Sequence, residues 1–262
     1  MIPRIIHYCW FGHNPLPEFA QKCIESWKKY LPEYEIKEWN EDNFDVNIIQ
    51  YTSEAYKEKK YAFVSDYARY WILYKYGGLY FDTDVEVIKP MDDIVGKGPF
   101  MGCEHRAGRG RGIRVAPGLA LGASKHMKIY EELIEMYSAL HFVNEDGSYN
   151  QLNIVDRTTN LLREHGLEDI DNIQKVAEMT IYPVDYFCPM NRFTLKTSIT
   201  ERTVSIHHYD ASWQTPETKW IQRTSYKYSW IPKMGYIVKF IGALRYRGFC
   251  AAVNEFYLWF RK

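Results

Sequence analysis

Residues 61 to 87 read YAFVSDYARYWILYKYGGLYFDTDVEV, an aromatic-rich stretch whose polar groups recur at two different periods. The spacing predicts a helix over 54 to 76, stopped by Gly77-Gly78, which suit a helix carboxyl end. LYFDTDVEVI (79–88) then predicts a strand ending before Pro90. Asp66, Arg69 and Tyr70 stand at i, i+3 and i+4 and so share one helical face, while Asp82 and Asp84 are two apart and share one face of the strand. A polar helix face and a carboxylate-bearing strand face are thus expected to meet across a glycine corner.

Upstream, RIIHYCW (4–10) is a short apolar run bounded by Pro3 and Gly12 and predicts a strand. Phe19, Cys23, Ile24, Trp27 and Leu31 follow at helical spacing up to Pro32, and YEIKEWN (34–40) predicts a second strand. Strand, helix, strand is the βαβ unit of an α/β domain, with a ligand crevice at the carboxyl ends of the strands, near Trp10 to Gly12. Downstream, GCEHRAGRGRGIRVAPG (102–118) has five glycines and four arginines and reads as a basic loop. Helices are expected at about 125 to 141 and 150 to 165, then mixed strand and loop to TVSIHHYDASW (203–213).

At 262 residues and 46% hydrophobic, the chain can build a sizeable core. Its 33 basic and 33 acidic residues cancel, so overall charge argues for neither a nucleic-acid nor an acidic partner, and no nucleic acid is expected. The charge is uneven: residues 227 to 262 carry a net +6, with Glu255 as their single acidic residue. Two regions are therefore expected, a body over 1–226 and a basic, aromatic helical appendage over 227–262. The five cysteines are scattered, with no C-x-x-C pair, and read as reduced thiols. The apolar run after Arg4 is too short for a signal peptide, so the expected location is cytoplasmic.

Two carboxylates close together can hold a divalent cation through hard oxygens, although Asp169 and Asp171 repeat the same spacing in LEDIDN, where loop chemistry accounts for it. Asp66 and Arg69 could be an ordinary i, i+3 ion pair, but their helix is apolar on most sides, so they need interior partners or a hydroxyl-rich ligand. His207 and His208 are adjacent and point to opposite sides of a strand, so at most one reaches a metal. Trp10 reads as core packing or as a stacking platform for a base.

Together, IIHYCWFG (5–12), FVSDYARYWILYKYGGLYFDTDVEV (63–87) and IHHYDASW (206–213) resemble the DXD-containing glycosyltransferases of family 32, which include yeast mannosyltransferases and bacterial capsule and lipopolysaccharide enzymes, with the glucosylating clostridial toxins as distant relations. The resemblance implies a GT-A fold, a Rossmann-like mixed sheet flanked by helices, with a nucleotide-sugar donor (a UDP-sugar first), manganese or magnesium, and transfer with retention of configuration. It implies stacking of the base on Trp10 and donor contacts from Ser65, Asp66, Arg69, Tyr80 and Asp82. Asp84 would ligate the metal with His208, His207 being the alternative, and Ser212 and Trp213 would hold the diphosphate. Asp66, Arg69, Asp82 and Asp84 form the implied catalytic set. Many members carry a Gly-Pro pair before a mid-chain helix; here NIVDRTTNLLREHG (153–166) stands in its place, so no acceptor residue is implied.

The expected reaction is hexosyl transfer to a glycan or lipid-linked saccharide in surface polysaccharide synthesis. A metal-dependent phosphohydrolase or nucleotidyltransferase and a non-enzymatic carbohydrate-binding module are the alternatives, the first lacking an obvious need for Asp66 and Arg69. The tail reads either as a terminal helix pair packed on the body or as a peripheral anchor for an anionic membrane surface.

Overall fold

The computed structural model describes residues 1–105, 112–150, 152–210 and 214–260. These fall into two compact bodies, one of residues 1–190 and 198–208, the other of residues 191–197 and 209–262.

The larger body opens with the expected βαβ unit. Strand β1 (Ile5–Cys9), helix α1 (Glu18–Tyr30) and strand β2 (Glu35–Trp39) follow in order, and the two strands run parallel with Ile6 opposite Ile36. The α1 face spaced at three and four residues, Ala20, Cys23, Ile24 and Trp27, is the buried one.

The helix expected over 54 to 76 is two helices, α2 (Gln50–Lys57) and α3 (Tyr61–Tyr76). Lys59 breaks the run with φ of 56°, a left-handed conformation no helix continues through. α3 buries Val64, Ala68 and Ile72 along one side and Asp66, Arg69, Tyr70 and Leu73 along another. It ends on Gly77, and Gly78 turns the chain with φ of 98°, where a Cβ would lie 2.6 Å from the Ile5 carbonyl oxygen. Only glycine meets both demands.

The strand expected over 79 to 88 is broken as well. β3 (Gly78–Tyr80) runs parallel to β1, with His7 opposite Tyr80. The chain then turns, Val85 N–H donating to the Asp82 carbonyl at 3.0 Å. It re-enters as β4 (Val85–Val87), which belongs to a different sheet. Asp82 and Asp84 therefore sit on a turn between two sheets, not on one strand face.

Helix α4 (Asp92–Val95) leads to β5 (Phe100–His105), then β6 (Arg114–Val115), β7 (Leu121–Ala123), α5 (Lys128–Ser138) and α6 (Ile154–Glu164). Asn153 caps α6, its side chain accepting from Asp156 N–H at 2.9 Å. Of the expected basic loop, residues 106–111 lie outside the described residues, and its ends form β5 and β6. β8 (Gln174–Val176), β9 (Met179–Tyr182), α7 (Val184–Phe187) and β10 (Ser205–His207) complete the body.

The large sheet has the order β2-β1-β3-β7-β5-β9-β8, with β6 on β5. Its β2-β1-β3 and β5-β9 neighbours are parallel; β3-β7, β7-β5 and β9-β8 are antiparallel. This is the mixed sheet flanked by helices that the sequence led us to expect. The small sheet pairs β4 with β10 antiparallel, setting His207 opposite Val85. The second body holds α8 (Pro216–Lys227), α9 (Met234–Arg247) and α10 (Phe249–Phe260).

Candidate active site

The site grows from the polar side of α3. Arg69 is buried, and a buried guanidinium is tolerated only when its charge and its donors are met. Its Nη2 donates to Asp66 Oδ1 at 3.1 Å, its Nε to the Ser65 carbonyl at 3.1 Å, and its Nη1 lies 3.3 Å from Asp82 Oδ1. The Tyr80 ring faces the guanidinium, 4.8 Å from centroid to Cζ, and the Tyr80 hydroxyl donates to Asp82 Oδ1 at 3.2 Å. Arg69 thus ties the helix to the turn across the glycine corner. Burial works against its charge, but Asp82, then Tyr80 and Asp66, outweigh it and hold the guanidinium protonated well above its ordinary range.

Asp66 is shifted the other way. Burial, the largest influence, pushes its carboxyl up to about 7; Arg69 opposes the rise and Asp82 reinforces it. Cys9, at the end of β1, has its thiol pushed up to about 12 by burial, so it offers no thiolate nucleophile.

The turn places the two remaining carboxylates. Asp82 N–H donates to the Gly118 carbonyl at 3.1 Å, and a Cβ on Gly118 would collide with Asp82 Oδ2. The bare backbone at Gly118 is what lets that carboxylate lie where it does. Opposite, β10 delivers His207, whose Nε2 is 3.1 Å from Asp84 Oδ1. Burial works against its protonation, but the Asp84 charge overcomes it and raises the imidazole well above its usual range. Asp82, Asp84 and His207 each bring one ligand atom to within 4.8 Å of the others. Two carboxylate oxygens and an imidazole nitrogen are a donor set that fits a divalent cation of the manganese or magnesium type.

His208, the first choice as metal ligand, is directed elsewhere. Strand alternation turns it from His207's side, and its Nε2 meets Glu86 Oε2 at 2.8 Å beside the Phe19 ring. His207, the alternative, is the histidine that lies beside Asp84. Ser65 contributes its carbonyl to Arg69, while its hydroxyl donates to the Tyr61 carbonyl at 3.2 Å. Trp10 follows β1, half-buried, its indole N–H donating to the Asn14 carbonyl at 2.7 Å. Because β1 and β3 are parallel neighbours, Trp10 and the Asp82 turn leave the same edge of the sheet. Ser212 and Trp213 lie outside the described residues.

The second D-x-D has a structural use, since Asp169 Oδ1 accepts from Ile113 N–H at 3.1 Å and from Arg163 Nη2 at 2.9 Å. Gly118 is the site residue that sequence reasoning missed. Its only signal was the turn dipeptide Pro117-Gly118, which carries no hint of a carboxylate 36 residues earlier in the chain.

Residues 17–101 match the family model described as a glycosyltransferase sugar-binding region containing a DXD motif. Inositol phosphoceramide mannosyltransferase 1 of Schizosaccharomyces pombe is 32% identical over 111 residues, covering 38% of this chain and 33% of its own. The uncharacterized glycosyltransferase L373 of Acanthamoeba polyphaga mimivirus is 36% identical over 106 residues, covering 38% of this chain and 42% of its own. The chain therefore spans less than half the length of these curated relatives. Among solved structures, the PaToxG glycosyltransferase aligns with a TM-score of 0.47 at 18% identity, over 62% of this chain and 69% of that one. The galactosyltransferase LgtC, solved with donor and acceptor sugar analogs, aligns with a TM-score of 0.40 at 14% identity, over 88% and 98%. The matched region contains α3, the glycine corner and the Asp82–Asp84 turn, so the likeness to the DXD-containing sugar-binding region of glycosyltransferases falls on these residues.

Proposed function

We propose that this protein is a metal-dependent, retaining hexosyltransferase that moves a sugar from a nucleotide donor, UDP-linked in the first instance, to a glycan or lipid-linked saccharide of a surface polysaccharide. The observation that carries the reading is the continuous contact from Asp66 through Arg69 to Asp82, which joins a buried polar pair to the Asp82, Asp84 and His207 ligand set. A phosphate-ester hydrolase needs the ligand set but has no evident use for the buried pair.

In this reading Asp82, Asp84 and His207 hold a manganese ion, or magnesium, which supplies positive charge beside the leaving diphosphate. Asp66 and Arg69 bind donor sugar hydroxyls, and Asp82 contacts ribose and sugar. Trp10 stacks on the base, and Ser212 and Trp213 hold the diphosphate. The bond from the anomeric carbon to the diphosphate oxygen breaks with its electron pair on that oxygen. The acceptor hydroxyl attacks from the same face, and its proton passes to the leaving phosphate. Cys9, whose thiol interacts electrostatically with Arg69 and Asp66, is held protonated, in keeping with a path that has no covalent sugar intermediate.

The fission yeast relatives are named for inositol phosphoceramide, which supports a lipid-borne acceptor. No described helix is long and apolar enough to cross a membrane, so contact with a membrane, here placed on its cytoplasmic face, would be peripheral.

The test is isothermal titration of UDP, with GDP in parallel, into the protein with and without manganese, repeated on Asp84→Ala. Manganese-dependent UDP binding that disappears in the variant is expected. Silence of both nucleotides with manganese present would overturn the donor-site assignment.

A further inference from the structure

The second body presents an apolar helix face that its own helices leave uncovered. On α9, Val238, Gly242 and Ala243 are buried, whereas Ile237, Ile241 and Leu244 are each 43 to 44% exposed. These three stand at i, i+4 and i+7 and form one stripe along the helix. Trp230, 77% exposed, precedes the helix, and Phe249, 70% exposed, follows it.

Cations border the stripe. Lys233 lies one turn ahead of Ile237, and Arg245 lies one turn beyond Ile241 with its guanidinium over the Trp220 and Tyr246 rings. Arg247 is matched by Glu217 and Glu255, but Lys233 and Arg245 enter no ion pair among the described residues. With a net +6 over residues 227 to 262, two copies of this face would repel one another, whereas an anionic surface would attract it. A 14-residue helix extends only about 21 Å, short of the hydrocarbon core, so it suits lying in a bilayer interface rather than crossing it.

We infer that the α9 face seats in the headgroup region of an anionic lipid bilayer, Ile237, Ile241 and Leu244 entering the acyl boundary while Lys233 and Arg245 meet lipid phosphates. Lys239 projects from the other side of the helix and adds only long-range attraction. The inference deepens the lipid-linked reading of the acceptor and rests on it for its purpose, and the experiment separates the two.

Full-length protein is sedimented with vesicles of phosphatidylcholine alone or mixed with phosphatidylglycerol, at low and high salt. The wild type is expected to bind the mixed vesicles and not the neutral ones. Ile241→Ser with Leu244→Ser should weaken binding about tenfold at either salt, and Lys233→Gln with Arg245→Gln should lower binding at low salt and shrink its salt dependence. Equal sedimentation of wild type and both double variants would overturn the inference. So would equal binding to neutral vesicles, or a wild-type dimer in analytical ultracentrifugation that the Ile241→Ser, Leu244→Ser protein loses, which would assign the face to a second copy. UDP titration on the same proteins reads the donor site independently: vesicle binding with nucleotide silence leaves the docking face standing and removes the transferase reading.

Discussion

Asp66 is a carboxylate for which burial outweighs its own arginine. Its pKa is about 7 in the folded chain against an ordinary 3.8, so between those values the folded state holds a proton that the unfolded state has released. Stability from this group is therefore fully present below pH 3.8 and is lost as pH rises through 7. Asp66→Asn removes that dependence. Moving from pH 4 to pH 7.5, the variant should gain about 3 kcal/mol relative to wild type in urea unfolding, whatever constant offset the altered Arg69 contact introduces. A wild-type-minus-variant difference that stays flat with pH would show that Asp66 is ionised throughout. The same burial makes the Asp66 and Arg69 pair informative at the site, because its polar atoms are directed inward rather than to bulk water.

At the scale of elements, the breaks in α2–α3 and β3–β4 matter more than the elements themselves. The break at Lys59 frees α2 to bind elsewhere: Glu54 accepts from the Phe142 and Val143 N–H groups at 2.7 and 3.0 Å and meets His141 Nδ1 and Gln50 Nε2 at 2.9 Å. Burial pushes its carboxyl upward, but those donors, Val143 N–H foremost, prevail and hold it down at about 2. Its contribution is present above the unfolded value of 4.5 and is lost as pH falls through 2. Glu54→Gln should cost about 2 kcal/mol at pH 7, and the gap should close toward pH 2.5. A gap of the same size at both pH values would mean that the hydrogen bonds act through shape and not charge. The break after Tyr80 has the larger functional consequence, since a continuous strand would have kept Asp82 and Asp84 in one ladder, away from β10.

Across the larger body, the ligand turn is held by parts distant in sequence. β4 pairs with β10 on one side; on the other, α1 supplies the missing partners, Trp27 Nε1–H donating to the Val85 carbonyl at 2.7 Å and Ser26 Oγ accepting from Val87 N–H at 2.9 Å. The Trp27 ring also packs 5.3 Å from Phe81 and 5.8 Å from Tyr8. Trp27→Phe leaves a buried carbonyl unmet next to the turn, so it should cost about 2 kcal/mol in urea unfolding and weaken manganese-dependent UDP binding. Unchanged nucleotide affinity in a destabilised variant would show that the turn keeps its shape without α1. Local pattern by itself determined the βαβ opening, the helical face shared by Asp66 and Arg69, the glycine corner and the chemical types at the site, because apolar period, proline and glycine act within a few residues of chain. Only the tertiary structure decided that the carboxylates lie on a turn between two sheets, that His207 rather than His208 lies beside Asp84, and that the Asp82 carboxylate occupies the room a side chain at residue 118 would take. Each of those outcomes depends on which strand lies beside which and on how closely a remote backbone approaches, and neither is set by neighbours in sequence.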